Sequence, residues 1–232
     1  MRVSLTAGVM LAVACAVAHA APPARPVVVE LFTSEGCSSC PPADQVLTGL
    51  ARDRPDILPL ALHVTYWNGL GWRDPFSFAG ATERQRRYVP ISGQGGIYTP
   101  QAVIDGRFDA IGSDRAAVLR AVAAAAGGPA VPISVARTGA GLAVTIAAGS
   151  GEGRVWLIGY DSRHRTPVGR GENAGRTLIE SNIVRSLVDI GPWSGAATVL
   201  MAPRPSGEHL AVIVQAPGGP ILGAARVGPP AD

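Results

Sequence analysis

The chain has 232 residues, with 20 basic side chains (all arginine) against 17 Asp and Glu, 16% charged and 47% hydrophobic residues, 29 Gly, 20 Pro and 3 Cys. That length closes around one large core or two modest ones, and its apolar content excludes a chain too polar to fold. Three cysteines exclude a disulfide-dense scaffold, and a net charge of +3 with no basic run or stripe leaves no electrostatic footprint for nucleic acid.

Residues 1–20 have the form of a signal peptide: Arg2, an apolar Ala-rich stretch over 5–17, then Ala18-His19-Ala20 as a small-x-small cleavage site. The stretch is short for a membrane span, and no later run suggests one, so the mature chain is predicted to have no transmembrane span. The expected location is exported and periplasmic. Leu11-Ala12-Val13-Ala14-Cys15 loosely resembles a lipoprotein signal, which leaves a lipid anchor through Cys15 as an alternative. Cleavage after Ala20 would leave Cys37 and Cys40 as the mature chain's cysteines.

Residues 26–128 carry an α/β pattern. Val27-Val28-Val29-Glu30-Leu31-Phe32 reads as a buried strand, broken by Thr33-Ser34-Glu35-Gly36. Cys37-Ser38-Ser39-Cys40 follows, and Val46, Leu47, Leu50 and Ala51 then fall at helical spacing. Pro41 and Pro42 have no amide donor and suit the opening of that helix. A second apolar strand spans 57–64, and the helix between the two suits a parallel crossover. Residues 65–97 form an inserted loop–helix segment with Trp67, Trp72, Phe76 and Phe78, which either wall a groove or pack the insertion down. Its helix is predicted over 77–88, with Arg84, Arg86 and Arg87 on a solvated face. An extended run over 101–107 with the turn signal Asp105-Gly106, and a second short strand around 107–110, predict a hairpin, and Ser113 or Asp114 caps a last helix over 115–126.

A Cys-x-x-Cys at the start of the first helix and Thr99-Pro100 ahead of the penultimate strand resemble the thioredoxin fold. More narrowly, Glu30-Leu31-Phe32-Thr33-Ser34-Glu35-Gly36-Cys37-Ser38-Ser39-Cys40-Pro41-Pro42-Ala43-Asp44, the segment 98–106 and Gly171-Glu172-Asn173-Ala174-Gly175-Arg176-Thr177-Leu178 resemble the DUF1223 family of exported bacterial thioredoxin-like proteins. The resemblance covers nearly all of the mature chain. It implies a cis Pro100, with the Thr99 backbone pairing an extended substrate beside the cysteines. It also singles out Glu172, Asn173, Gly175, Arg176, Asn182 and Arg185, as pins of a hairpin and its interface or as recognition residues.

Two thiols two residues apart at a helix start can bond, and the first-turn amides favour a thiolate on the first of them. Cys37 is therefore the candidate nucleophile and Cys40 the resolving thiol of a thiol–disulfide exchange, with Glu35 a candidate proton acceptor or a solvated loop acid. No bound cofactor is implied, because the electrons reside in the cysteines. The implied partners are protein or small-molecule thiols and disulfides, together with an external redox partner. Two other readings stay open: a static disulfide in a non-catalytic envelope binding module, and a copper or zinc delivery site in which His63 joins Cys37 and Cys40. Gly36 stands where thioredoxins carry tryptophan before the first cysteine.

From residue 129 the texture changes to short strands, predicted over 131–136, 142–147, 154–160, 178–187, 196–201, 210–215 and 221–227. With Gly- and Pro-rich turns between them, they predict a small antiparallel β-sandwich over 129–232. Arg163-His164-Arg165 and the segment 169–176 read as a polar surface loop or binding hairpin. No nucleophile elbow, phosphate-binding loop or paired-carboxylate spacing points to hydrolase chemistry.

Overall fold

The computed structural model describes residues 25–139 and 141–228; the expected signal peptide over 1–20 and Cys15 lie outside the described residues. Among the described residues, no helix is long and apolar enough to cross a membrane.

Strand β1 (Val27–Thr33) is followed by helix α1 (Pro41–Asp53) and strand β2 (Ile57–His63). Every residue of β1 and β2 is buried, as expected of parallel strands covered on both faces. Cys40 occupies the N-cap of α1 without a side-chain cap, and the prolines fill the first positions, where no intrahelical donor is needed. The inserted segment contributes α2 (Ala79–Arg87) and a 3-10 turn at Val89–Ile91. A hairpin, β3 (Gln101–Ile104) and β4 (Phe108–Ile111), then leads to α3 (Arg115–Ala125). Asp105 and Gly106 both have positive φ at its turn, and Asp114 caps α3 by accepting from the Ala117 amide at 2.9 Å.

Seven strands follow: β5 (Ile133–Thr138), β6 (Gly141–Ile146), β7 (Gly153–Pro167), β8 (Thr177–Trp193), β9 (Thr198–Ala202), β10 (His209–Gln215) and β11 (Ile221–Val227). They do not close into the small separate sandwich that their pattern predicts. Four of them continue the first region's sheet, giving an open eight-stranded order β11-β10-β7-β8-β2-β1-β3-β4, while β5, β6 and β9 form a second sheet. The joint is a parallel contact between β2 and β8 at Ala61 and Ile183. What the pattern hides is the length of β7 and β8. Both run past their apolar stretches through polar residues such as Arg163, His164 and Arg165, paired with Ser181, Glu180 and Ile179.

Three cores follow from this layout. One face of the large sheet is continuous across both halves: Val28, Phe32, Leu60 and Leu62 share a cluster with Trp156, Ile158 and Ile213, under Ala81 and Tyr88. The other face is divided. Leu31, Ala61, Ile104 and Ile183 pack against Leu47 and Leu50 of α1 and Val118 and Val122 of α3. Further along, Val155, Leu157 and Val212 pack against Leu142, Val144 and Ile146 of the three-stranded sheet. The alternation of Trp156 and Ile158 with Val155 and Leu157 between two clusters is the period of two expected of a strand.

Candidate functional site

Cys37 and Cys40 form a disulfide with a Cα–Cα distance of 5.4 Å. The pair lies where β1 hands over to α1, and the Cys40 carbonyl accepts the amides of Ala43 (2.8 Å) and Asp44 (3.1 Å). Both cysteines are 0% exposed, while Ser38 and Ser39 between them face solvent. The Thr99–Pro100 peptide is cis. The Thr99 hydroxyl donates to Cys37 Sγ at 3.3 Å and itself accepts from Trp67 Nε1 at 2.8 Å. A groove of about 340 Å³ opens beside these residues, lined by Ser39, Gln94, Tyr98, Thr99, Pro100 and Ile111.

The tip of the β7–β8 hairpin covers the pair from the other side. Asn173 is fully buried and donates through Nδ2 to the carbonyls of Glu35 and Cys37, both at 2.9 Å. Arg176 holds the Asn173 side chain by donating to Oδ1 at 2.8 Å, and Glu172 Oε2 accepts the Ser38 amide at 3.0 Å. Gly171, with φ +74°, lies so close to the inserted loop that a Cβ there would meet the Trp72 Cβ at 3.2 Å. The tip is thus seated on both the cysteine loop and the tryptophan loop.

Beneath the cysteines lies a buried group of ionisable side chains: Glu35, Asp44, His63, Asp74 and Glu180. His63 Nδ1 and Asp74 Oδ2 are 2.7 Å apart, and His63 Nε2 lies 3.7 Å from Glu180 Oε1. Asp74 also accepts the amides of Glu35 and Phe76, each at 2.9 Å. Trp72 Nε1 donates to Glu35 Oε2 at 2.8 Å, and the Thr33 hydroxyl donates to Asp44 Oδ1 at 2.8 Å. Among the described residues, Glu35 Oε1, Asp44 Oδ2, His63 Nε2 and both Glu180 oxygens are buried with no hydrogen-bond partner.

Burial in so apolar a place favours neutral carboxyls. It pushes Asp44 up to about 7, against the pull of His63 and the Thr33 hydrogen bond, and raises Glu180 well above the ordinary range. Glu35 is likewise raised, chiefly by burial. Burial alone would lower His63, but the Asp74, Glu180 and Asp44 carboxyls outweigh it and raise the imidazole to about 10. At neutral pH the arrangement holds an imidazolium–Asp74 pair, with Asp44 balanced between its two forms. A cleft of about 420 Å³ between α1 and β8, lined by Pro41, Thr48, Arg52 and Arg176, reaches both Asp44 and Glu180 from solvent.

Cys37, Cys40, Thr99, Pro100, Glu35, Glu172, Asn173 and Arg176 are therefore brought together. His63 faces the buried carboxyls, and among the described residues no group of three or more His, Cys, Asp or Glu side chains is placed to hold a metal ion. Asn182 and Arg185 sit further along β8. Asn182, with φ 53°, donates to the Pro59 carbonyl at 2.8 Å, and Arg185 donates to Asp161 at 3.0 Å and stacks over Phe76. Trp67 and Trp72 both reach the site, whereas Phe78 packs in the core. Arg84 does not lie on a solvated face: it is 2% exposed and pairs with Glu30 on β1. Sequence reading misses Asp44, Asp74 and Glu180. Only Asp44 left a signal, an acid one helical turn after Cys40.

Residues 28–215 match the family described as a protein of unknown function (DUF1223). No curated protein matches the chain. The crystal structure of protein AGR_C_4864 from Agrobacterium tumefaciens is 32% identical, with a TM-score of 0.77, over 91% of this chain and 98% of that one. HBP35 of Porphyromonas gingivalis shares the fold at 14% identity and a TM-score of 0.57, over 88% of this chain and 74% of that one. A family match across most of the length, joined to a relative sharing nearly a third of its residues, shows that this chain belongs to the DUF1223 family.

Proposed function

We propose that the protein carries out thiol–disulfide exchange through Cys37 and Cys40 in the cell envelope, after export directed by residues 1–20. The observation that carries this reading is the buried acid group beneath the cysteines. A static cross-link has no proton to move, whereas exchange must take a proton from a buried thiol or return one. Asp44, one helical turn from Cys40 and raised to about 7, has the proton affinity that the task needs at neutral pH.

In the reducing direction, the Cys37 thiolate attacks a substrate disulfide, forms a mixed disulfide and expels the first substrate thiolate. Cys40 then passes its proton to Asp44, and its thiolate attacks Cys37 Sγ. The second substrate thiolate leaves, the substrate has gained two electrons, and the cysteines regain the disulfide seen here. In the oxidising direction the same steps run backwards from a substrate dithiol. Glu35 serves as a second acceptor within the network, and the α1–β8 cleft passes the proton to solvent. The groove at Tyr98, Thr99 and Pro100 receives the substrate chain, and an external thiol or disulfide couple resets the cysteines.

The full burial of both cysteines favours a second reading, an envelope binding module whose disulfide is structural. Equilibrating the mature protein with glutathione separates the two. A potential between about −120 and −230 mV, with reduction of a protein disulfide such as that of insulin abolished by Cys37→Ser, supports exchange. A potential below about −300 mV without turnover identifies a static bridge.

A further inference from the structure

Most amides around Cys37 are committed before a thiolate could use them. The Cys37 amide donates to the Ser34 carbonyl at 3.1 Å, and the Cys40 amide to the Cys37 carbonyl at 3.2 Å. Pro41 and Pro42 open α1 without amide hydrogens, and the next two amides, of Ala43 and Asp44, donate to the Cys40 carbonyl. Helix α1 therefore offers little of the donor-rich first turn that lowers a cysteine's proton affinity. Two hydroxyls stand at Cys37 Sγ, those of Thr99 and Ser39, each at 3.3 Å. Over 37–44, only the Ser39 amide has no acceptor among the described residues.

The Ser38 amide, immediately after Cys37, goes to a carboxylate brought from the other half of the chain: Glu172 Oε2 accepts it at 3.0 Å. Hydrogen bonds from Ser38, through its hydroxyl and its amide, hold the Glu172 carboxyl below the usual range, so it is an anion at neutral pH. The anchorage of Asn173 on the carbonyls of Glu35 and Cys37 keeps that charge in place. Of the other charged groups around the cysteines, Glu35, Asp44, Glu180 and the His63–Asp74 pair lie on the buried side, and Arg176 is turned onto Asn173. Glu172 holds the cysteine loop from the solvent side.

We propose that Glu172 is a positioning residue of the exchange reaction: by taking the Ser38 amide and setting a negative charge beside Cys37, it disfavours the Cys37 thiolate and biases the pair toward giving up electrons. This rests on the exchange reading above and adds a direction to it. A poorly stabilised thiolate makes the dithiol the less stable form of the pair. The dithiol accordingly passes two electrons to a partner disulfide, which leaves as two thiols, and the cysteines close to their own disulfide. An external dithiol, itself oxidised to a disulfide, reopens it. The substrates are therefore disulfides that are to be reduced.

The test follows thiolate absorbance at 240 nm against pH in the mature Cys40→Ser protein, with and without a change at Glu172. Glu172→Gln should lower the Cys37 pKa by about half a unit, and Glu172→Ala, which also frees the amide, by about one. Raising the salt from about 0.05 to about 0.5 M should lower the pKa of the parent and change that of Glu172→Gln far less, a response that mere loosening of the hairpin tip would not give. With both cysteines present, Glu172→Ala should shift the equilibrium with glutathione toward the reduced protein on the order of tenfold, or about 30 mV, at about pH 9. An unmoved Cys37 pKa in both variants, or an equal salt response in the parent and Glu172→Gln, would overturn the role of Glu172. Faster oxidation of a dithiol peptide than reduction of insulin by the unsubstituted protein would overturn the direction. The titration reads the reduced thiol without turnover, so a static disulfide would show itself separately, as a shifted pKa in a protein that reduces nothing.

Discussion

Asp44 and His63 carry different burdens in the same buried group. As the acceptor of the Cys40 proton, Asp44 must be ionised, so the resolving step should quicken as pH rises through about 7. Asp44→Asn should slow that step on the order of 100-fold and remove the inflection, measured by stopped-flow release from a mixed disulfide. His63 governs stability instead. Its folded pKa of about 10 lies above the 6.5 of an unperturbed imidazole, so below pH 6.5 both states are protonated and its contribution is complete. Between about 6.5 and 10 the folded state holds the proton and the unfolded state does not, so stability falls as pH rises. The slope should reach about 1.4 kcal/mol per pH unit in denaturant titrations, and a flat profile there would refute the charged imidazole. Of these residues, only Glu35 and His63 were legible from sequence, and both for their proximity to the cysteines or to a strand end. Asp74 and Glu180 reach the site from an inserted loop and a distant strand, so no spacing could announce them.

The β7–β8 hairpin is the element through which the second half of the chain acts on the first. Its apolar stretches are legible as strands, but the polar extension beyond them reads as loop, because side chains such as Arg163 and Arg165 carry no core-facing alternation. Their pairing is enforced by the partner strand and by where the tip lands. That landing rests largely on Asn173, whose amide satisfies two carbonyls at the cysteine loop. Asn173→Ala should cost roughly 1–3 kcal/mol for the two lost hydrogen bonds. If the tip must lift before a thiol reaches Cys37, the same change should speed reduction by dithiothreitol on the order of tenfold, since the open state is favoured by the same energy. An unchanged reduction rate in a destabilised variant would place the route to the disulfide on the Tyr98–Pro100 side alone.

Over the whole molecule, the Gly-rich passage after α3 marks a change of texture but not the edge of the sheet. Trp156, Ile158 and Ile213 share a core with Val28, Leu60 and Leu62, and Ile183 packs with Ala61 and Leu47. A fragment ending at residue 128 should therefore lack cooperative unfolding, whereas residues 25–228 should unfold in one transition by near-ultraviolet circular dichroism. A folded, cooperative fragment would show that the first region is self-sufficient. The joint between the halves also bears on how the chain is made. In a strand, a residue's carbonyl and amide point to the same side, and the Pro59 carbonyl faces β8, where it accepts from Asn182. The flank of β2 that waits for β8 is therefore missing a donor. A polypeptide emerging amino end first must carry that flank unpartnered from Ala61 until Ile183 arrives. A proline there denies passing strands a continuous ladder during the interval, guarding the nascent chain against clumping with its neighbours.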